Sequence, residues 1–197
     1  IDYNAIARNP KILLGYSDIT ALHLAINART GLITFHGPIA TQQFSPYTLA
    51  AFQTLLQTVP AAPIIAAPPS FTPAAGRAER LNRLKTLRPG HATGRLIGGN
   101  LSLITHLLGT PYAPDFKDAI LFLEDVDEAP YRIDRMLTAL WLAGVFDQIS
   151  GLVIGKFTNA RVSGPSLSIE AILTDRVAPL RIPVLQGLMI GHIDDQA

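Results

Sequence analysis

Residues 11–27, KILLGYSDITALHLAIN, read as an apolar strand, a tight turn and an amphipathic helix. Lys11–Gly15 has the short apolar character of a strand buried in a parallel sheet. From Ser17 to Asn27, the apolar residues Ala21, Leu22, Ala25 and Ile26 share one helical face. The turn between them holds Gly15, Tyr16, Ser17 and Asp18. A serine there has two readings. It is a preferred N-cap, because its oxygen accepts an N–H that the first helical turn leaves unpaired. It also stands where a strand–turn–helix elbow presents a nucleophile beside helix N–H groups. The two roles are compatible, and both remain open at this point.

The same alternation continues outward. Residues 1–10 read as the tail of a helix that closes before Pro10, since the residue before proline avoids the helical region. Leu32–Phe35 reads as a short strand ended by Gly37-Pro38, and residues 47–58 resume a helical pattern through Leu49, Phe52, Leu55 and Leu56. Composition then shifts to a Pro- and Ala-rich stretch in which proline forbids a regular helix. This predicts residues 1–60 as one domain, 61–93 as a connection carrying a little strand, and 94–197 as a second domain.

In the second unit Gly94 opens a strand-like run, followed by a Gly98-Gly99 turn and a helix through Leu103, Ile104, Leu107 and Leu108. Gly109 suits its C-cap. Ala119–Leu123 reads as a strand, Asp125–Pro130 as an acidic loop, and Tyr131–Ala143 as a helix with Pro130 in its first turn. Gly151–Phe157 reads as a strand, residues 167–178 as a helix, and Val184–Ile190 as a last strand. Strands alternating with helices imply an α/β fold with largely parallel pairing. No internal repeat is present.

Composition narrows the function classes. In 197 residues, 48% are hydrophobic and 16% charged, which favours a buried core over disorder. A net charge of +1 offers no basic surplus for nucleic acid. With no cysteine, a thiolate zinc site, a disulfide scaffold and a cysteine nucleophile are excluded. No apolar run reaches the length of a membrane span. Expected partners therefore include neither nucleic acid nor membrane. The first residue is Ile1, so the natural N-terminus is expected upstream.

Three polar residues stand at the ends of predicted strands: Ser17, Glu124 and His192. Open α/β sheets bind ligands outside the carboxyl ends of their strands. A serine hydroxyl needs a base to take its proton, histidine does so near neutral pH, and a carboxylate fixes the ring's tautomer. The backbone N–H of Asp18, at the positive end of a helix, is the natural oxyanion donor. Asp125, Asp127 and Glu128 are assigned to the loop and helix cap, with Glu128 placed four residues before Arg132 for pairing. His36, in a strand-end His-Gly-Pro, and Asn100, in Gly-Gly-Asn, are candidate substrate contacts. His192 has acids nearby at Asp194 and Asp195, but no second ligand at metal spacing, so no metal is expected. Gly-Gly-Asn lacks the rest of a phosphate loop.

In order, KILLGYSDITALHLAI, HGP, GRLIGGNLSLI, LFLEDVDEAPYRIDRML and GHIDDQA resemble the LD-carboxypeptidase family of serine peptidases. The likeness runs along essentially the whole chain. It implies a Ser-Glu-His triad on Ser17, Glu124 and His192, the residues already singled out by position. It implies a partial flavodoxin- or Rossmann-like N-terminal domain carrying the serine. A swivelling β/α C-terminal domain would carry the other two, with the site between them. The family begins about a hundred residues earlier. The first N-terminal strands, and an Arg-Gly-Gly-Tyr-Gly-like turn giving a second oxyanion N–H, are therefore expected outside this sequence.

The implied activity is cleavage of the bond between meso-diaminopimelate and terminal D-alanine in cytoplasmic muropeptides, during peptidoglycan recycling. The implied enzyme is a homodimer that uses no cofactor. A related branch, the microcin C self-immunity peptidases, cleaves an amide in acyl-nucleotide toxins. From the residues alone, a non-catalytic α/β ligand-binding protein with Ser17 as a cap remains a third reading.

Overall fold

The computed structural model describes residues 1–58, 60, 63–68, 82–162 and 164–197. Residues 69–81 of the expected connection lie outside the described residues. Helix α1 (Tyr3–Arg8) is a complete short helix and not a tail, because Asp2 caps it by accepting from the Ala5 N–H at 2.9 Å. Strands β1 (Leu14–Gly15) and β2 (Phe35–His36) form a parallel pair joined through helix α2 (Ile19–Thr30). Helix α3 (Pro46–Gln53), with proline in its first turn and Ser45 as its cap, runs on into a π turn at Thr54–Thr58.

A second, mixed sheet has five strands: β3 (Lys85–Arg88), β4 (Leu96–Asn100), β5 (Ile120–Val126), β6 (Gly151–Thr158) and β7 (Val184–Gln186). Their order is β3-β7-β6-β5-β4, parallel except for β3, which runs antiparallel to β7. Helices α4 (Leu101–Leu107), α5 (Pro130–Leu142) and α6 (Ile169–Val177) pack in succession, α4 on α5 and α5 on α6. Strand alternation divides the core. Leu121 and Leu123 join Ile104, Ile133, Leu140 and Ile154 in the main cluster, while Phe122 points the other way to Leu188 and Ile190.

Edge strand β3 is the little strand expected within residues 61–93, and it pairs with β7. Three local expectations change. Gly98-Gly99 is not a turn but lies inside β4. A Cβ on Gly98 would sit 2.0 Å from the Phe122 carbonyl oxygen, and one on Gly99 would sit 2.5 Å from Thr20 Oγ1. The glycines serve close approach. Strand β5 continues past Leu123 to Val126, so Glu124 and Asp125 are strand residues. Strand β7 stops at Gln186, because Gly187 has φ 97° and lies where a Cβ would be 2.2 Å from the Arg83 carbonyl oxygen. The chain therefore leaves the sheet there, and His192 lies on an irregular segment six residues beyond it.

Replacing Gly98 by Ala is expected to cost about 1–3 kcal/mol, since backbone must move to admit one methyl group. Urea unfolding of the two proteins at one pH measures it.

Candidate active site

The nucleophile candidate sits on a strained turn. Ser17 has φ 63°, a left-handed conformation uncommon outside glycine and found at functional elbows. The capping expectation is not met locally. The N-cap position of α2 falls to Asp18, which makes no side-chain capping bond, and among the described residues Ser17 Oγ makes no hydrogen bond. The Ser17 carbonyl instead accepts the Thr20 N–H at 2.9 Å, closing the turn through backbone alone. Asp18 is exposed, and its N–H opens α2 without a partner among the described residues.

Glu124 lies at a register shift. Leu123 pairs with Ile154, yet Asp125 pairs with Phe157, so Gly155 and Lys156 of β6 face Glu124 alone. Such a bulge re-aims a side chain. The carboxyl is fully buried, and its Oε2 meets His192 Nδ1 at 2.9 Å. Gly191 permits this approach, because a Cβ there would stand 3.3 Å from Glu124 Oε2 and the residue has φ 136°. The segment carrying His192 is tied to β6 by the Lys156 N–H donating to the Ile190 carbonyl at 2.8 Å. The ring of Tyr16, next to Ser17, lies edge-on to the His192 ring with centroids 4.7 Å apart. The structure thus joins His192 to Glu124 and sets the serine elbow against the imidazole. The serine–histidine hydrogen bond itself is not made here; such contacts commonly tighten only with substrate.

Burial raises the Glu124 pKa above the usual carboxylate range, opposed mainly by its hydrogen bond and charge interaction with His192. His36 is nearly enclosed. Burial lowers its pKa to about 3, helped by the neighbouring His23 and His192 charges. His23, whose Nε2 meets the Gly15 carbonyl at 2.9 Å, is also lowered, by burial first.

The two candidate substrate contacts are differently engaged. Asn100 caps α4 by accepting from the Leu103 N–H at 3.2 Å, and its amide donates to Asp125 Oδ1 at 2.8 Å. His36 packs edge-on to Phe122, 5.3 Å between centroids, with Nε2 4.0 Å from Glu124 Oε1. It also borders an apolar cleft of about 730 Å³ that neither Ser17 nor His192 lines.

Two supporting residues escaped the sequence reading. Asp125, expected in a loop before α5, instead points to the start of α4, where it also accepts from the Ser102 N–H and hydroxyl at 3.0 and 2.8 Å. Successive strand residues face opposite ways, so Glu124 and Asp125 could have been assigned to two faces. Thr20 is wholly buried, and its Oγ1 accepts the Asn100 N–H at 3.0 Å. Nothing in its local pattern signals that contact. Glu128 does reach Arg132, at 3.6 Å. Among the described residues no group of three or more His, Cys, Asp and Glu could hold a metal ion, and no helix is long and apolar enough to cross a membrane.

The His36 shift carries a sign. Its pKa is about 3 in the folded chain against 6.5 as the ordinary value, so below pH 6.5 the unfolded chain binds the extra proton. Stability is therefore lost as pH falls from 6.5 toward 3, at up to about 1.4 kcal/mol per pH unit from this residue. His36→Gln is expected to flatten that acid limb, read from denaturant unfolding at a series of pH values.

Comparison with known proteins identifies the family of the chain. Residues 1–37 match the family model of the LD-carboxypeptidase N-terminal domain, and residues 93–197 that of the LD-carboxypeptidase C-terminal domain. The probable murein peptide carboxypeptidase of Bacillus subtilis is 42% identical over 98% of this chain and 58% of its own length. The microcin C7 self-immunity protein MccF of Escherichia coli is 33% identical over 98% of this chain and 61% of its own. The solved muramoyltetrapeptide carboxypeptidase of Oxalobacter formigenes superposes with TM-score 0.78 at 29% identity, covering all of this chain and 65% of that one. The chain spans 58% and 61% of the length of these two curated relatives. Their ordered matches across both halves establish that the chain belongs to the LD-carboxypeptidase family.

Proposed function

We propose that the protein carrying this chain is a serine carboxypeptidase that hydrolyses the LD-bond between meso-diaminopimelate and a terminal D-alanine in muropeptides. The observation that carries the reading is the 2.9 Å contact of His192 Nδ1 with buried Glu124 Oε2 across 68 residues of sequence. It leaves His192 Nε2 for a proton from Ser17. In the proposed reaction Ser17 Oγ attacks the scissile carbonyl as His192 takes its proton. The oxyanion forms against the Asp18 N–H and the positive end of α2. The tetrahedral intermediate collapses, His192 protonates the departing D-alanine amine, and water releases the acyl group by the reverse roles. Glu124 orients the ring and stabilises the imidazolium. The scheme uses protein groups alone.

The finer assignments belong to the same proposal. β1, α2 and β2 are read as part of a flavodoxin- or Rossmann-like domain whose other strands, with a second oxyanion donor, lie upstream. The unit from residue 94 is read as a swivelling β/α domain, with residues 61–93 as the connection. Asn100 and His36 line the site, as substrate contacts or as its supports. The working context is cytoplasmic peptidoglycan recycling by a homodimer, without nucleic acid or membrane as partner.

The similarity to MccF supports a second reading, an amide bond in an acyl-nucleotide toxin. Offering a muropeptide tetrapeptide and an aminoacyl-sulfamoyl adenosine to the same enzyme separates the two by kcat/KM.

In the full-length protein, Ser17→Ala is expected to lower D-alanine release by about a thousandfold or more while leaving folding nearly unchanged. Undiminished turnover by that variant defeats the assignment. Ser17→Gly is expected to be equally inactive yet about 1 kcal/mol more stable, because glycine accepts φ 63° without strain. Assay and denaturant unfolding of both variants check this pairing of lost activity with gained stability.

A further inference from the structure

Glu124 has two oxygens, and His192 occupies only one. Oε2 is bonded to His192 Nδ1, while Oε1 is buried with no hydrogen-bond partner among the described residues. Facing Oε1, 4.0 Å away, is Nε2 of His36, whose side chain is 8% exposed. Both nitrogens of His36 are likewise buried and unpartnered. Buried polar atoms are overwhelmingly hydrogen-bonded, and an unpaired carboxylate oxygen is costly. A carboxylate oxygen and an imidazole that each make no hydrogen bond among the described residues therefore face each other at 4.0 Å, with the Asn100 amide as the other polar group acting on the carboxyl.

We infer that His36 is a positioning residue whose Nε2–H donates to Glu124 Oε1, so that the carboxylate is held between two imidazoles. This rests on the proposed role of Glu124 as the partner of the catalytic histidine. Backbone packing places the donor. The Gly37 N–H donates to the Gly15 carbonyl at 3.0 Å, tying the His-Gly-Pro strand end to the serine elbow. The rings of Phe122 and Tyr16, at 5.3 and 6.3 Å between centroids, flank the imidazole edge-on. Packing alone would be served by an apolar side chain; an imidazole in this enclosure adds a neutral N–H beside a buried anion. Its pKa of about 3 keeps it neutral at physiological pH. A neutral donor favours the ionised carboxylate without competing with it for a proton. The other ionisable groups around the pair are His23 on α2, Tyr16 at the elbow, Asp125 on β5, Lys156 on β6 and His192 itself.

The test is an NMR titration of the Glu124 carboxyl carbon in the folded protein, which needs no turnover. His36→Phe removes the donor and is expected to raise the Glu124 midpoint by about one pH unit or more. His36→Gln, whose amide reaches about as far as Nε2, is expected to bring the midpoint back to the wild-type value. In turnover assays of the full-length protein, His36→Phe should lower kcat about tenfold with KM little changed, and His36→Gln should recover most of the loss. A Glu124 midpoint unmoved by His36→Phe overturns the inference, and so does a His36→Gln midpoint equal to that of the Phe variant. Should His36→Phe fail to fold, the ring nitrogen spectrum of the wild type decides. A neutral Nε2–H tautomer supports the inference and an Nδ1–H tautomer overturns it. Failure of the triad reading shows separately, as activity retained by Ser17→Ala.

Discussion

The contact on which the rest of this site depends is the one between the buried carboxyl of Glu124 and the ring of His192. A carboxylate removed from water is strongly disfavoured unless something replaces its hydration. Here the replacement comes from residues far away in sequence, so several backbone features serve to deliver them. The bulge at Gly155 and Lys156 interrupts the β5–β6 ladder opposite the glutamate, which keeps its place opposite Asn100 on β4. Gly191 lets the histidine segment approach its side chain closely. The Lys156 N–H holds that segment by the Ile190 carbonyl, after it has left the sheet at Gly187. Each is a backbone device, and together they place two side chains within hydrogen-bonding distance.

The serine side of the site is organised differently. Ser17 is held in a left-handed conformation by hydrogen bonds of its own turn and by the helix that follows, not by its side chain. Among the described residues its hydroxyl therefore has no structural duty. That combination suits a nucleophile, since a hydroxyl engaged in capping would have to break a bond before reacting. The strain is tolerated because α2 is anchored by wholly buried Thr20 and by Leu24, which belongs to the main core.

Much of this was legible in the residues. The alternation of apolar runs with amphipathic stretches marked the α/β class, and the resemblance pointed to the family that the comparisons establish. Element ends were less legible, for physical reasons that are not local. Gly98-Gly99 looks like a turn until one sees that Phe122 and Thr20 occupy the space a side chain would need. Val184–Ile190 reads as one strand, yet the Arg83 carbonyl lies against Gly187 and the ladder stops at Gln186. Asp125 looks like the start of an acidic loop, because nothing nearby in sequence announces the donors at the start of α4 that meet it inside the strand. Thr20 is the extreme case: its partner lies 80 residues downstream.

That partner, the Asn100 N–H, also links three elements mechanically. Thr20 stands on the helix that follows the serine, Asn100 lies opposite Glu124 in the ladder, and the Asn100 side chain grips Asp125. A displacement of the serine helix relative to β4 must break a buried hydrogen bond and pull on a buried carboxylate. The serine turn and the Glu124–Asp125 strand end are thereby coupled into a single stiff frame. The histidine, on irregular chain past the last strand, joins that frame through Glu124 and through the Lys156 N–H that holds the Ile190 carbonyl.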